Sequence, residues 1–477
     1  MSLPARDTGA HARPTARYQQ QLARVLRVGA NVAITLSLIS PAASVFVIGP
    51  VAFRQQGSGT FLAFVIAALV SGCLALGWAE LGALYPTASG LYGIVARVLG
   101  REAGFLSLVL QLATFVVGPS AFALAAGQYL AAVWPDIDAR LAAVVLLAMA
   151  IVLGVGGIRF NAVVVSGLLA LELGAILVVT VLGLANAHRS SVGALIKPQV
   201  FAADGTATPA APGTLLAGVA IGMLAYAGYG AAVVFSEETR GPRRGVARAV
   251  LVVLGVAVVA ELLPITAALL GAPSLAKLAT APAPMSYLVS SLGGEGLARV
   301  LTLALVAAIF NVLLVSVLDF SRILYGSGRD RVWPVPVSRA LAYVHPKAKT
   351  PAVATLTLGT AALALTAVSD QATAVTFTGL ILVVSFALVA LSALVSRLRQ
   401  PRLARPYSMP LWPLPPVVAL AGVAVTASLQ TGRDLAIVAG ILLVGTVYLV
   451  VYLRPRRVTH WILLEPPDGE RNEVDAN

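Results

Sequence analysis

Hydroxyl groups and a proline interrupt the first apolar segment of the chain. The stretch TLSLISPAASVF carries Ser37, Ser40, Pro41 and Ser44 inside the apolar run Val28–Phe53. Because proline lacks an N–H group and clashes with the carbonyl four residues earlier, a helix loses backbone hydrogen bonds here. In hydrocarbon an unsatisfied backbone group costs several kcal/mol, so such a break persists only where protein or water covers it. The pattern predicts a broken helix that binds a ligand; the alternative is a kinked helix whose hydroxyls bond to its own carbonyls.

The second half of this helix would begin at about Ala42, after Ser40 and Pro41. The N–H groups of Ala43 and Ser44 would then be free at the positive end of a helix, where a carboxylate is stabilised. The hydroxyls of Ser40 and Ser44 could add hydrogen bonds to the same carboxylate.

The sixth apolar segment contains a similar interruption, MLAYAGYGAAVVF. It places Tyr226, Ala227, Gly228, Tyr229 and Gly230 in mid-membrane. Glycine weakens a helix and lets backbones approach closely, so tight helix packing is the alternative explanation. Free carbonyls at a break suit an ammonium group, and Tyr229 is a candidate aromatic lid or cation–π wall, with ordinary packing as its alternative. Two complementary helix ends would together recognise an α-amino acid.

Carboxyl groups within apolar segments are the second kind of evidence. Glu172 and Glu261 each lie among apolar residues, where a charged side chain costs roughly 2.5–3.5 kcal/mol on insertion scales. A carboxyl group removed from water takes up a proton more readily, so Glu172 is a candidate for a coupling proton site or for the partner of a cation, and Glu261 is a weaker candidate for the same role. The alternative for Glu172 is a hydrogen-bonded packing residue. Gln111 and Asn311 are further candidates to line the cavity, or to make polar helix contacts.

Acidic residues near the predicted inner face suggest a gate. Glu80, Glu237 and Glu238 are expected to form a cytoplasmic latch with the neighbouring basic loop. Asp319 precedes Arg322 by three residues, a spacing that predicts an ion pair on one helix face.

The composition bounds the class of protein. The chain has 477 residues, is 58% hydrophobic and 11% charged, and has a mean hydropathy of +0.90. A water-soluble chain of this size could not bury that much apolar surface, so we expect an all-α integral membrane protein. Twelve apolar segments of about 20 residues are predicted to span the bilayer: Val28–Phe53, Gly59–Leu84, Gly104–Trp134, Ala139–Gly157, Ala162–Ala185, Thr214–Phe235, Ala247–Leu270, Leu297–Leu318, Ala352–Val368, Ala374–Val395, Leu414–Leu429 and Leu435–Leu453.

The distribution of positive charge predicts the orientation. With the N-terminus inside, 26 of the 33 Lys and Arg residues fall in cytoplasmic tails and loops, as the positive-inside rule requires. The net charge of +13 therefore reports topology and not nucleic-acid binding. Both termini are predicted to be cytoplasmic, in a bacterial inner membrane.

No motif indicates a cofactor or an enzyme. The sequence has no histidine pair at zinc-ligand spacing and no glycine loop for phosphate, so neither a metal nor a nucleotide is expected. Its apolar segments contain no Ser–His, His–Asp or metal set. Cys73 is the sole cysteine, which excludes an intrachain disulfide.

Two interrupted segments, five apart, are typical of inverted-repeat transporters. Three motifs strengthen this interpretation: AELGALYPTASGLYGIVARVLGREAGF, AYAGYGAAVVFSEETRGPRRGVARA and SRILYGSGRDRVWP. Through them the chain resembles bacterial permeases of the amino acid–polyamine–organocation (APC) superfamily, over essentially Val28 to Leu453. The resemblance implies a LeuT-type fold with a 5+5 inverted repeat, discontinuous helices 1 and 6, and a central site. It also implies a division into an N-terminal tail (1–27), a ten-helix core (28–395), two further helices with a basic loop (396–453) and a C-terminal tail (454–477).

Three positions depart from the pattern of these relatives. The first break is not glycine-rich, Gly230 stands where many relatives have an acid, and Glu172 stands where several have a lysine that replaces sodium. Without the acid at Gly230, a polyamine would depend on Glu172 or Glu261 for its charges, so a neutral or small apolar amino acid is favoured as substrate.

The sequence thus predicts a secondary transporter that imports amino acids by alternating access. Protons are favoured over sodium as the coupling ion. An importer of organic amines or polyamines and an amino acid exchanger are the alternatives, with a non-transporting sensor or an intramembrane enzyme more remote. A homodimer is one alternative for its assembly.

Overall fold

The computed structural model describes residues 22–187, 193–202, 204–241, 243–281, 283–429 and 432–463. This part of the chain is mostly helical and contains one two-stranded hairpin. In the first half they are α1 (Val28–Ile39), α2 (Pro41–Ala43), α3 (Gly49–Gln56), α4 (Thr60–Leu84), α5 (Gly90–Val98), α6 (Arg101–Val133), α7 (Ala139–Gly154), α8 (Ile158–Ala185) and α9 (Gly193–Ile196). The strands β1 (Gln199–Phe201) and β2 (Ala207–Pro209) follow and pair antiparallel, with Val200 opposite Thr208.

The second half continues the bundle. Its helices are α10 (Pro212–Ala225), α11 (Ala231–Val234), α12 (Arg243–Gly271), α13 (Leu275–Thr280), α14 (Pro284–Gly293), α15 (Glu295–Arg329), α16 (Val335–Leu341), α17 (Ala352–Val368), α18 (Gln371–Arg399), α19 (Leu414–Ser428) and α20 (Gly432–Tyr448).

A helix overlaps each of the apolar segments predicted from the sequence. Seven helical stretches among the described residues are long and apolar enough to cross a membrane, and α7, α10, α17 and α19 are apolar but shorter. The number of crossings and the 5+5 repeat therefore stay predictions. Apolar side chains on the outside of the bundle, such as Val152, Val163 and Leu177, are exposed, as contact with lipid requires.

The first apolar segment is interrupted at a single residue. Ser40 ends α1 in the left-handed region, at a φ of 48°, and Pro41 opens α2 without needing a hydrogen-bond acceptor. From α2 the chain passes through a π-helical turn, Ser44–Ile48, into α3. The helix is thus interrupted at one residue, and a second helical piece begins directly after it.

The sixth apolar segment is interrupted over a longer stretch. Helix α10 ends at Ala225 and α11 begins at Ala231, with turns between them. Gly228 adopts a φ of 130°, which residues with a Cβ rarely reach.

Helices α8, α12 and α15 enclose the first interruption. Each of them packs against both α1 and α2, and α12 also packs against the π-helical turn. Residues from both interrupted segments, including Ile39, Ala42 and Tyr226, belong to the largest cluster of buried apolar side chains. Both interruptions are therefore interior features of the bundle.

Candidate functional site

The two interruptions contact each other. The Ser44 hydroxyl donates to the carbonyl of Ala225, the last residue of α10, at 3.0 Å. A methyl group at Gly228 would lie 2.9 Å from Ile39 Cγ1 and 3.3 Å from the Ile39 nitrogen. The glycine is thus required both for its backbone conformation and for the close approach of the two chains.

A carboxyl group from α8 caps the first interruption. Glu172 Oε1 accepts hydrogen bonds from the Ser40 hydroxyl at 2.7 Å and from the Ala42 N–H at 2.9 Å. The side chain is fully buried, and its other oxygen has no partner among the described residues. The protein's own carboxylate thus occupies the donors at the start of the second helical piece.

The prediction that Ala43 and Ser44 present free N–H groups is wrong. The Ala43 N–H donates to the Ser40 hydroxyl oxygen at 3.4 Å, and the Ser44 N–H donates to the Ser40 carbonyl at 2.9 Å. Helix α2 starts one residue earlier than expected, at Pro41, so the N–H that reaches another helix is that of Ala42.

A second carboxyl group, Glu261 of α12, lies beside the same interruption. It is fully buried, and neither of its oxygens forms a hydrogen bond to a described residue. The Ser44 hydroxyl is adjacent to Glu261 but donates its proton to the Ala225 carbonyl. Glu172 interacts electrostatically with Glu261. Glu261 also interacts electrostatically with Tyr226, whose buried hydroxyl likewise has no partner among the described residues.

The remaining residues of the second interruption make packing contacts. The Tyr226 ring lies edge-on to Phe64, with centroids 5.8 Å apart. Tyr229 is buried near Cys73 of α4, and a methyl group at Gly230 would lie 2.8 Å from the Trp78 ring. Ala227 donates its N–H to Leu224 in a turn. A lid or cation–π role for Tyr229 stays a prediction.

Three further candidates lie apart from these contacts. Gln111 donates to the carbonyl and the hydroxyl of Ser107, both within its own helix α6. Asn311 donates to Val165 O at 3.3 Å and so ties α15 to α8, the helix that carries Glu172. The Ser37 hydroxyl is buried and has no partner among the described residues.

The predicted gate residues Glu237 and Glu238 form one buried cluster with two arginines of α15. Arg322 Nε donates to Glu238 at 2.6 Å, and Arg329 donates to Glu237 at 3.0 Å. Glu237 also accepts the Ala88 N–H at 2.7 Å. The cluster fastens α15, the end of the sixth segment and the loop before α5.

Asp319 and Arg322 interact electrostatically, but the expected close ion pair between them does not form. Arg322 directs its guanidinium to Glu238 and to its own helix at Leu318 O, and one Asp319 oxygen has no partner among the described residues. Next to this cluster, Asp330 accepts hydrogen bonds from the Tyr92 and Ser89 hydroxyls. Burial raises the pKa of Asp330, and the nearby Arg329 opposes that shift.

Glu80 does not join these residues. It accepts hydrogen bonds from Arg397 at 2.9 Å, from Arg405 at 2.8 Å and from the Met409 N–H at 2.7 Å. It therefore binds α4 to the end of α18 and to the linker before α19, in a second cluster.

Sequence reasoning assigned Arg322 to Asp319 and did not single out Arg329, Arg397 or Arg405 as partners of the gate glutamates, although Arg322 and Arg329 lie in the SRILYGSGRDRVWP motif. The signal that could have found them is the need of a buried carboxylate for a cationic partner.

Long apolar helices with exposed apolar side chains, and two interrupted segments in contact beside buried carboxyl groups, are typical of a multi-pass membrane transporter. The family described as "Amino acid permease" matches residues 30–451. The chain is 30% identical over 406 residues to an uncharacterised transporter of Mycobacterium tuberculosis, covering 83% of this chain and 84% of the relative. It is 24% identical over 393 residues to the branched-chain amino acid permease BcaP of Bacillus subtilis (79% and 82%), and 27% identical over 381 residues to human cationic amino acid transporter 4 (74% and 56%).

The chain belongs to the amino acid permease family, within the APC superfamily that the motifs indicated. It is a transporter of small molecules and not an enzyme.

Proposed function

We propose that this protein imports amino acids across the bacterial cytoplasmic membrane by proton-coupled alternating access, with both termini inside. The observation that carries the proposal is the bond of Glu172 Oε1 to both the Ser40 hydroxyl and the Ala42 N–H. An anionic Glu172 satisfies the N–H group and the partial positive charge at the start of the second helical piece, which are the features that attract a carboxylate.

Protonation of Glu172 supplies a coupling step. A neutral carboxyl is a weaker acceptor than a carboxylate, so the proton loosens the bonds to Ser40 and Ala42. The substrate carboxylate then takes these donors, while the Ala225 carbonyl and the turn at Tyr226–Gly230 receive its ammonium group. Binding of the proton and binding of the substrate carboxylate thereby favour each other. The proton neutralises Glu172, and the substrate carboxylate replaces Glu172 at the helix end.

The cytoplasmic clusters suit the closed inner side of such a cycle. Glu238 with Arg322, and Glu237 with Arg329, hold the end of the sixth segment to α15. In addition, the N–H groups of Val25 and Leu26 donate to the Glu238 carbonyl, which draws the N-terminal segment over the same place. Release of these contacts would open the path from the site to the cytoplasm.

The test is uptake into proteoliposomes. Purified protein is reconstituted, and accumulation of labelled amino acids is measured with and without an outside-acid pH gradient. A gradient of one pH unit stores about 1.4 kcal/mol and supports about tenfold accumulation per coupled proton. Wild type should accumulate substrate, whereas Glu172→Gln should lose the response to the gradient and retain exchange between internal and external substrate.

The matched control is Glu102→Gln, which removes a carboxyl whose side chain is 44% exposed at the start of α6. Its gradient response should equal that of wild type. An unaltered response in Glu172→Gln would exclude the proton role, and absence of uptake of every amino acid by wild type would exclude the transport proposal.

The main alternative is an importer of organic amines or polyamines, or an amino acid exchanger. The two carboxyls at the interruption favour the amine alternative. Uptake of labelled putrescine, competed by amino acids, separates these cases in the same vesicles.

A further inference from the structure

Buried carboxylates in this protein are usually matched by guanidinium groups. Removing an ion from water costs several kcal/mol, and the cost is recovered only by close partners of opposite charge. Glu80, Glu237 and Glu238 each have such a partner within 3.0 Å.

Glu172 and Glu261 are equally buried but lack a cationic partner. Glu172 accepts hydrogen bonds from one hydroxyl and one N–H group, and Glu261 has no hydrogen bond to a described residue. No Lys or Arg among the described residues interacts electrostatically with either of them; Glu261 interacts with Glu172 instead.

Two like charges at one buried place cannot both remain ionised without compensation. A single proton leaves one of the two carboxylates charged. A neutral amino acid does not change that balance, because its ammonium group arrives with its own carboxylate. A substrate with one additional positive charge does, since one proton and one such cation together neutralise the pair.

We infer that Glu172 and Glu261 form the cation subsite of the transport site, so that the preferred substrates carry a net positive charge, as amino acids with a basic side chain do. The inference rests on the proposed function and names its substrate class. Glu261 is the specificity-determining residue, because Glu172 is hydrogen bonded at the helix end, whereas both Glu261 oxygens are buried without a hydrogen-bond partner by distance among the described residues and have only the Ser44 hydroxyl beside them.

This inference reverses the preference drawn from the sequence. The missing acid at Gly230 favoured a neutral substrate, but α8 and α12 deliver two carboxyls to the neighbouring interruption instead. The relatives include permeases named for branched-chain and for cationic amino acids, so similarity alone does not choose between the classes.

The test compares labelled lysine and labelled leucine in proteoliposomes of wild type and Glu261→Gln. Wild type should take up lysine with a half-saturation concentration well below that for leucine. Removing one partner of a buried charge pair weakens binding by about 30-fold or more, so Glu261→Gln should lose lysine uptake by about that factor, and any loss of leucine uptake should be several-fold smaller. Glu102→Gln, on the surface, should behave as wild type.

Thermal unfolding of each variant in detergent separates a changed subsite from a damaged fold. A wild type that takes up leucine while unlabelled lysine fails to compete would overturn the inference and leave proton-coupled amino acid import intact. A Glu261→Gln protein of normal stability that loses both substrates equally would also overturn it. If wild type transports neither substrate nor any other amino acid, both the inference and the proposed function fail.

Discussion

The five glutamates that are buried in the described part of the chain divide by the kind of partner they have. Glu80, Glu237 and Glu238 lie near helix ends that are predicted to face the cytoplasm, and they bind arginines that reach them from distant parts of the chain. Glu172 and Glu261 lie at the interruption of the first segment and have neutral partners or none among the described residues. The first group is suited to fixed anchoring between helices, because protonation would leave a buried or half-buried arginine without its counter-charge. The second group can exchange a proton or a cation without that cost.

This division predicts where the loss of a carboxylate is destabilising. Glu238→Gln leaves Arg322 fully buried without its anion, which should lower the free energy of unfolding by about 3–5 kcal/mol. Glu102→Gln breaks the exposed pairs with Arg454 and Arg457, and exposed pairs are worth about 1 kcal/mol or less. Chemical denaturation of both purified variants in one detergent measures the difference. Equal losses for the two would refute the anchor role of Glu238.

At the scale of elements, the position of each interruption follows from local sequence. Pro41 ends the hydrogen bonding of α1, and Ser40 takes the left-handed conformation just before it. In the sixth segment, Gly228 permits a φ of 130° and the contact with Ile39. Local sequence does not predict the hydrogen bond between Glu172 and the Ala42 N–H. That bond depends on which face of α8 packs against α2.

The second interruption provides a test at this scale. Gly228→Ala forces a residue with a Cβ into a strained backbone conformation, which costs about 1–3 kcal/mol, and drives a methyl group against Ile39. Thermal stability and lysine or leucine uptake should both fall. Gly174→Ala in α8 is the control, since a methyl group there meets no atom within 4 Å and alanine favours a helix. A Gly228→Ala protein as stable and active as Gly174→Ala would show that the close approach is dispensable.

The same distinction explains how far the sequence predicted this protein. Predicted helix bounds agree closely where an apolar run has clear ends, as at Ala352–Val368 and at Arg101–Val133, which was expected at Gly104–Trp134. Pairings across the chain were predicted poorly. The spacing of Asp319 and Arg322 indicated a local ion pair, but Glu238, 84 positions away, offers Arg322 a bidentate arrangement. Spacing in the sequence indicates which residues are neighbours on one helix, whereas packing between helices decides which of two carboxylates an arginine binds.

On the scale of the whole molecule, exposed apolar side chains and positively charged side chains occupy different parts of the surface. Exposed apolar side chains surround the bundle, as at Val163 of α8 and Val444 of α20, whereas arginines gather in the linkers and tails predicted to be cytoplasmic. The segment between α18 and α19 contains Arg402 and Arg405 without a single acidic residue, and Glu80 reaches it from α4. A chain with this asymmetry should insert in one orientation.

That orientation places the β1–β2 hairpin outside the cell and the α18–α19 linker inside. Two single-cysteine proteins test it, built on Cys73→Ser so that only the introduced thiol reacts: Asp204→Cys in the hairpin turn and Arg402→Cys in the linker, both exposed positions. In intact cells a membrane-impermeant maleimide should label the first and should reach the second only after the membrane is permeabilised. A maleimide that crosses membranes should label both, which controls for reactivity. Labelling of Arg402→Cys from outside would show that the topology is the reverse of the predicted one, and that the gate proposed at Glu237 and Glu238 faces the outside.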